Sequence, residues 1–421
     1  MDFLNSAVGS INDFLWTYII IVVLVGCGLW FTISTGLIQL RALPEMVRLL
    51  AGDLGRRPSG RKAISSFQAF CVSTASRVGV GNIAGVAIAI VTGGPGAVFW
   101  MWVIAFIGTA TGFVESTLAQ IYKISRGHGL FHGGPAYYIQ NALGQPAVAK
   151  LFAVLISVTF GLIYVSVQAN TIALSMEKAF GIDTWVMGAV LAILSGAVIF
   201  GGIQRVANFS TLLVPVMAGI YLLIAAIIIV LHIDQVPAMF ALILHDAFSP
   251  QAAVGGGIGT AILTGIRRGL FSNEAGEGSI PNAAATANVT HPVKQGLVQA
   301  FGVYVDTWIV CSATAFIVLL TGQYTIGGDT TGIALAQDSL ASAFGPWASS
   351  LLAVLIFLFA FSSVVGNYYY GEINIHFFGG NTKRALLIYR LGVVAMVFFG
   401  CVAALGLVWN LADLFMAMIC L

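Results

Sequence analysis

The chain has 421 residues, of which 59% are hydrophobic and 8% charged, with a net charge of +2 and a mean hydropathy of +0.96. A soluble domain carries charge on roughly a quarter of its residues, so a water-soluble enzyme and a nucleic-acid partner are excluded and an all-α polytopic membrane protein in a lipid bilayer is expected. The five cysteines, Cys27, Cys71, Cys311, Cys401 and Cys420, all lie in apolar runs without CxxC or His/Cys spacing, so they read as small core residues.

The N-terminal MDFLNSAVGSINDF lacks the basic region and cleavage site of a signal peptide, so the first span is retained. Apolar runs long enough to cross about 30 Å of hydrocarbon fall at 15–39, 65–91, 95–122, 146–176, 184–202, 208–232, 252–286, 294–321, 345–371, 385–404 and 407–421. That gives about 11 transmembrane helices, the last of them, from Trp409 on, too short to span and so expected to be incomplete.

Lys and Arg near span ends stay on the cytoplasmic side. Arg41, Arg48, Arg56, Arg57, Arg61 and Lys62 follow span 1, Lys123 and Arg126 follow span 3, and Arg205 follows span 5. Lys294 precedes span 8, and Lys383, Arg384 and Arg390 lie between spans 9 and 10. All fall on one side if the N-terminus is outside, and Lys178 is the exception. A multi-pass plasma-membrane protein, of the bacterial inner-membrane kind, is expected.

Span 2 carries STASRVGVGNIAGVA, residues 73–87, at its centre. Irregular backbone at that depth survives only where it is buried in protein or lines a cavity. A broken helix offers free N–H groups at one half-helix start, suited to a carboxylate, and free carbonyls at the other half-helix end, suited to a cation. Gly79, Gly81 and Gly85 alone would be explained by close helix packing; Arg77 and Asn82 beside them favour the break. Arg77 has Glu115, Glu274 and Asp306 as candidate partners, because an intramembrane arginine is costly unless paired or functional.

Span 7, GGGIGTAILTGIRRGLFSNEAGEGSIPNAAA, is too long for one simple helix and is interrupted by Gly276, Gly278 and Pro281 beside Asn273 and Glu274. Two interrupted spans whose starts are five spans apart, running in opposite directions, are the pattern of a five-plus-five inverted repeat. Residues 1–64 then form an extra N-terminal helix and a basic loop, 65–232 the first repeat, and 233–421 the second.

GGPGAVFWMWVIAFIG (residues 93–108), the segment at 75–87, RRGLFSNEAG (267–276), FHGGPAYYI (131–139), VQANTIA (167–173) and FAFSSVVGNYYYGE (359–372) resemble, in family order, blocks of the alanine or glycine:cation symporter family. The resemblance implies a leucine-transporter-type fold and sodium-coupled uptake of a small neutral amino acid, such as alanine, glycine, D-alanine or serine, by a monomer with no organic cofactor. It places substrate at Ser73, Thr74, Gly79, Gly81, Asn82, Gln168, Asn170, Asn273 and Asn367, and sodium between Ala75, Val78, Ser362 and Ser363. Serines in membrane helices often bond back to their own helix; the matched blocks make Ser362 and Ser363 ligands instead. Arg77, Glu115, Glu274 and Asp306 are expected to serve structure or coupling.

Gln168 and Asn170 do not share a helix face, so one is expected to touch substrate while the other packs or bonds to the break. Many family members carry tryptophan where this chain has Asn367, which leaves a roomier, more polar pocket. Tyr368 to Tyr370 read as interface anchors.

The glycines near 127–134 lack a phosphate-loop GKS or GKT, and no HExxH or GxSxG pattern is present, so ATP-driven transport and intramembrane catalysis are not expected. A passive channel would need a continuous polar pore, which two broken helices do not favour. Proton coupling through Glu115, Glu274 or Asp306 remains the alternative to sodium.

Overall fold

The structure, a computed structural model, describes residues 2–53, 63–201, 203–249, 259–379 and 382–421. Arg56, Arg57, Arg61 and Lys62 of the basic loop, and the start of span 7, lie outside the described residues.

In chain order the helices are α1 (Asp2–Leu15), α2 (Ile21–Ser34), α3 (Ile38–Arg41), α4 (Leu43–Gly52), α5 (Ser66–Arg77), α6 (Val86–Gly93), α7 (Gly96–Ile121) and α8 (Pro135–Leu143). Then come α9 (Pro146–Val158), α10 (Val165–Phe180), α11 (Thr184–Ile199), α12 (Ile203–Leu231) and α13 (Val236–Ala247). The second half holds α14 (Thr260–Asn273), α15 (Ile280–Thr286), α16 (Pro292–Val303), α17 (Ser312–Thr321), α18 (Gly332–Phe344), α19 (Trp347–Phe377), α20 (Thr382–Val402) and α21 (Leu405–Cys420). The strands β1 (Ile124–Ser125) and β2 (Phe131–His132) pair antiparallel. Wider π-helical turns bridge α1 to α2, α9 to α10 and α16 to α17, and Gly81–Gly85 leads into α6.

Seven described helices are long and apolar enough to cross a membrane, or eight if the bent pair of span 2 is one span. The expected count of about 11 is not reached on length and hydropathy, because α11 and α21 have 16 residues each and span 7 is split into pieces of 14 and 7. Ile33, Ile193 and Leu212 are 73–75% exposed, an apolar outer surface that only lipid can cover without cost.

The arrangement follows the inverted-repeat logic. Spans five apart pack on each other: α7 on α16, α10 on α19, α11 on α20. The two broken helices run antiparallel, with α6 against α14 and α5 against α15. The short helices between spans mirror one another too. Gly134 at the start of α8 abuts Asn282 of α15, and Gly332 at the start of α18 abuts Ile88 and Ala84 beside α6. One hydrophobic core runs through both halves.

Lys178, the exception to the charge rule, pairs with Asp338 of α18 at 2.7 Å, so its charge is met locally. Tyr368, Tyr369 and Tyr370 are not interface anchors: all three are buried, because α19 is a central helix enclosed by α9, α10 and α12. Tyr368 takes a hydrogen bond from Arg390 at 2.8 Å, and Arg390 also meets Glu372 at 3.3 Å. Span 1 begins earlier than its hydropathy suggested, since α1 leans on α21, with Trp16 Nε1 donating to the Asp413 carbonyl.

Two contacts yield expected outcomes. A Cβ at Gly400 of α20 would fall 2.6 Å from Ser166 Cα on α10, a backbone neighbour that cannot step aside. Gly400→Ala should therefore cost about 1–3 kcal/mol and lower the thermal midpoint in detergent; an unchanged midpoint would show that α10 and α20 can separate freely.

At the end of span 3, Lys123 Nζ bonds Gln120 Oε1 at 2.6 Å and the Ala287 carbonyl at 2.7 Å, tying α7 to the segment after α15. Burial pushes its pKa down from 10.5 to about 8. The folded state thus releases this proton before the unfolded chain does, and the residue's contribution to stability rises as pH goes from about 8 to about 10.5. The melting-point advantage of wild type over Lys123→Met should grow across that window, and a constant or shrinking difference would contradict it.

Candidate functional site

The capping box of Ser65 and Gln68 starts α5, and its last intrahelical bond runs from Val78 N–H to the Thr74 carbonyl at 2.7 Å. Gly79 N–H, which would extend the helix by donating to Ala75, donates to Asn82 Oδ1 at 2.9 Å. Val80 N–H donates to Gln168 Oε1 on α10 at 3.1 Å. The helix resumes after a 50° bend. Two side-chain amide oxygens thus sit on the N–H groups of the second half-helix, positions that a carboxylate can take over.

The Ala75 carbonyl instead accepts from Ser363 Oγ of α19 at 2.8 Å, with Ser362 Oγ at 3.5 Å. Both serines also touch the Phe359 carbonyl, at 2.7 Å from Ser362 and 3.2 Å from Ser363. Gly79 lies against the same cluster: a Cβ there would strike Ser363 Oγ and come within 2.9 Å of Gln168 Oε1. The break therefore gathers uncharged oxygens, with Val78 on the same turn. That donor set suits a hard monovalent cation that must be released each cycle, since no carboxylate locks it in place.

In span 7, α14 ends at Asn273 and α15 begins at Ile280. Gly276 and Gly278 have φ of +91° and +70°, and Glu274 reaches the same left-handed region at φ +56°, where a non-glycine backbone is held at a cost of about 1–2 kcal/mol. Its carboxylate fastens the two breaks together, accepting from Ser76 Oγ at 2.7 Å and from Ser279 Oγ at 2.6 Å. Asn82 Nδ2 donates to Asp306 Oδ1 at 2.7 Å, and Ser272 Oγ donates to Asp306 Oδ2 at 2.8 Å. Gly81 packs on Phe271 and Ser272.

The structure brings Ala75, Gly79, Gly81, Asn82, Gln168, Ser362, Ser363 and Asn367 together at the first break. Asn367 Oδ1 is 2.5 Å from Ser76 Oγ, and its Nδ2 is buried without a partner among the described residues. Ser73 and Thr74 are buried one turn earlier on α5, and the Thr74 hydroxyl has no hydrogen-bond partner among the described residues.

Two asparagines stand apart. Asn170 Nδ2 caps the end of α20 through the carbonyls of Gly400 and Ala403, at 2.9 and 2.8 Å. Asn273 bonds Thr307 Oγ1 and the Ala275 N–H. Of the span 4 pair, then, Gln168 bonds the break and Asn170 braces span 10.

Arg77 makes no ion pair with Glu115, Glu274 or Asp306 among the described residues. Its guanidinium bonds Gln299 at 3.2 Å and the Ser73 carbonyl at 3.4 Å, wedged against Gly302. Glu115 accepts the Gly276 N–H at 3.4 Å.

The residues that sequence reasoning left out are Ser76, Ser272 and Glu277. All three lie inside the segments quoted above, but nothing in the spacing of Ser76 and Ser272 shows that they bridge α5, α14 and the turn at Asp306. Glu277 is fully buried, with Oε2 bonded to Tyr164 at 3.1 Å.

The sodium:alanine symporter family matches residues 1–421. The chain is 51% identical over 415 residues to a probable sodium/glutamine symporter, GlnT, of Bacillus subtilis, covering 99% of this chain and 86% of that protein. It is 52% identical over 420 residues to the amino-acid carrier protein AlsT of the same organism, covering 100% and 88%. Among solved structures, a sodium-coupled sialic acid symporter, substrate-bound and outward-open, matches with a TM-score of 0.55 at 14% identity over 96% of this chain and 83% of that one. That identity speaks for the fold alone, which is leucine-transporter-type. With its family matched along the whole length and relatives at half identity, the chain belongs to the sodium:alanine symporter family, and is a multi-pass membrane transporter rather than an enzyme.

Proposed function

We propose that the protein imports a small neutral amino acid together with sodium by alternating access, as a monomer in the plasma membrane with its N-terminus outside. The observation that carries this reading is the first break, where Ser362 and Ser363 converge on the released Ala75 carbonyl while Asn82 and Gln168 oxygens cover the adjoining N–H groups. Sodium takes the oxygens of Ala75, Val78, Ser362 and Ser363. The substrate carboxylate displaces an amide oxygen from the Gly79 and Val80 N–H groups. Because the two sites share one turn of backbone, each ligand raises affinity for the other by the same factor. Alanine, glycine and serine fit the reading, and Asn367 with a glutamine-named relative extends it to glutamine.

The test is uptake of labelled alanine and glutamine into proteoliposomes under an imposed sodium gradient, repeated with potassium and with a proton gradient alone. Accumulation above equilibrium only with sodium is expected, and counterflow separates carrier from channel. Ser363→Ala should raise the sodium concentration for half-maximal uptake about tenfold, the equivalent of roughly 1.4 kcal/mol; an unchanged sodium dependence would remove Ser363 from the cation site.

Proton coupling is a second reading, favoured by Glu277. It is 0% exposed, Oε1 has no partner, and no Lys or Arg lies within ion-pair distance among the described residues. A carboxyl so placed is far easier to bury neutral than charged. Accumulation driven by the proton gradient alone, and lost in Glu277→Gln, would favour it over sodium.

A further inference from the structure

Span 1 does not run out into a loose loop. Gly36 and Leu37 take left-handed φ of +62° and +55°, and the chain turns there into α3 and α4. One side of these helices is seated in protein. Met46 is fully buried beside Ile38, Ala110 of α7, and Leu297 and Ala300 of α16. Tyr304 Oη donates to the Gln39 carbonyl at 2.9 Å, and Asp53, just past α4, accepts the Phe67 N–H of α5 at 2.8 Å. The segment is thus fixed at both ends, and so is the direction of its outward face.

That face is apolar. Leu37, Leu40 and Val47 are 48%, 56% and 48% exposed, and they continue the exposed surface that Trp30 and Ile33 form at the end of span 1, at 69% and 75%. Pro44, between Leu40 and Val47, is exposed as well. Water would make such a surface costly, whereas the edge of a bilayer covers it.

Arginines border the row. Arg41 follows Leu40 and is exposed, and Arg48 follows Val47 with its side chain 78% exposed. Arg41 Nη2 donates to the Thr35 carbonyl at 3.2 Å, and Arg48 pairs with Glu45 at 2.7 and 2.8 Å. These contacts leave the larger share of each guanidinium's N–H donors for another acceptor. An exposed pair such as Arg48–Glu45 contributes little stability, so a phosphate can join it or replace its carboxylate.

The surrounding charge has one sign. From Arg41 to Lys62 the sequence carries six basic residues against Glu45 and Asp53, and exposed Lys294 at the start of α16 lies close enough to act on Glu45. An acidic protein would match that charge, but the row is continuous with the face that span 1 turns to lipid, and this favours the bilayer itself.

We propose that α3 and α4 form an interfacial docking surface for anionic phospholipid. Leu37, Leu40 and Val47 enter the boundary between headgroups and acyl chains, and Arg41 and Arg48 take headgroup phosphates of the inner leaflet, in the orientation proposed above. The inference is independent of which amino acid or ion is carried.

The test is contact quenching of a bimane label on full-length Cys27→Ser/Val47→Cys protein; Cys27 is exposed and the other native cysteines are buried. The protein is reconstituted in phosphatidylcholine bilayers that carry, at equal low mole fraction, either chain-brominated phosphatidylglycerol or chain-brominated phosphatidylcholine. Local enrichment of the anionic lipid should be about fivefold for each arginine and should shrink in high salt. Arg41→Gln/Arg48→Gln should bring the two brominated lipids close to parity, while Arg41→Lys/Arg48→Lys, monodisperse by size exclusion, should keep most of the preference.

Equal quenching by the two lipids in protein with both arginines would show that α4 touches the membrane without selecting charge, and would overturn the proposal without any variant at the arginines. Absence of quenching by either lipid would overturn it too, and a dimer by size exclusion would then identify a second copy as what covers the row. A preference unchanged in Arg41→Gln/Arg48→Gln would move recognition to the basic residues that follow α4, and so remove Arg41 and Arg48 from it.

Discussion

Gly79→Ala should cut sodium-driven uptake roughly a hundredfold while leaving the protein folded and monodisperse. The added methyl would occupy the place of Ser363 Oγ and press on Gln168 Oε1 at 2.9 Å. Neither neighbour is backbone, so the helices need not move; the hydroxyl rotates away and the amide withdraws. What is lost is one proposed cation oxygen and the group that guards the Val80 N–H. The lost cation contact is worth about 1.5–3 kcal/mol, and the methyl also crowds the N–H groups proposed to take the substrate carboxylate, so the effect should appear as weaker sodium and substrate binding. By contrast, a methyl at Gly366 would meet the Ser76 backbone N at 3.0 Å, so Gly366→Ala serves as the control that damages packing. Uptake by Gly79→Ala within threefold of wild type would place the coupling site elsewhere.

Asn82→Asp should abolish transport and destabilise the fold by about 3–5 kcal/mol, and Asp306→Asn in the same chain should restore most of both. Asn82 does two opposite tasks with one amide: its oxygen accepts from Gly79 N–H and its NH₂ donates to the Asp306 carboxylate. An aspartate keeps the first and turns the second into two buried carboxylates in contact. In the double variant the amide introduced at position 306 donates to the carboxylate introduced at position 82. The oxygen of that new amide still accepts from Ser272 and Thr307, which in the wild type serve Asp306 at 2.8 and 3.0 Å. The pair should therefore be strongly non-additive. A double variant no better than Asn82→Asp, by thermal midpoint and by uptake, would show that the charge of Asp306 itself is needed.

Both outcomes turn on contacts whose partners lie far apart in sequence, and that divides what was legible from what was not. Span positions, an interruption within 73–87 and another around Gly276, Gly278 and Pro281, and the five-span interval between them follow from local chemistry. Hydropathy reports burial in lipid, and glycine and proline report where a helix cannot continue. The tyrosines at 368–370 were misjudged for the complementary reason. Tyrosine suits both a membrane interface and a crowded core, and the enclosing helices α9, α10 and α12 decide between them. The span count fell short because α11 and α21 are too short to pass on length alone, although they lie where apolar runs were expected.

The sequence by itself thus determined a helical membrane protein with two paired breaks and the short list of polar residues at their depth. Only the tertiary structure decided what each of those residues does. Gln168 meets the break while Asn170 caps α20, Arg77 turns to Gln299 rather than to an acid, and Glu274 joins one break to the other. The physical reason is one of range. A helix break is written in a few consecutive residues, whereas the partner of a buried polar group is set by which helix the fold brings within about 3 Å of it.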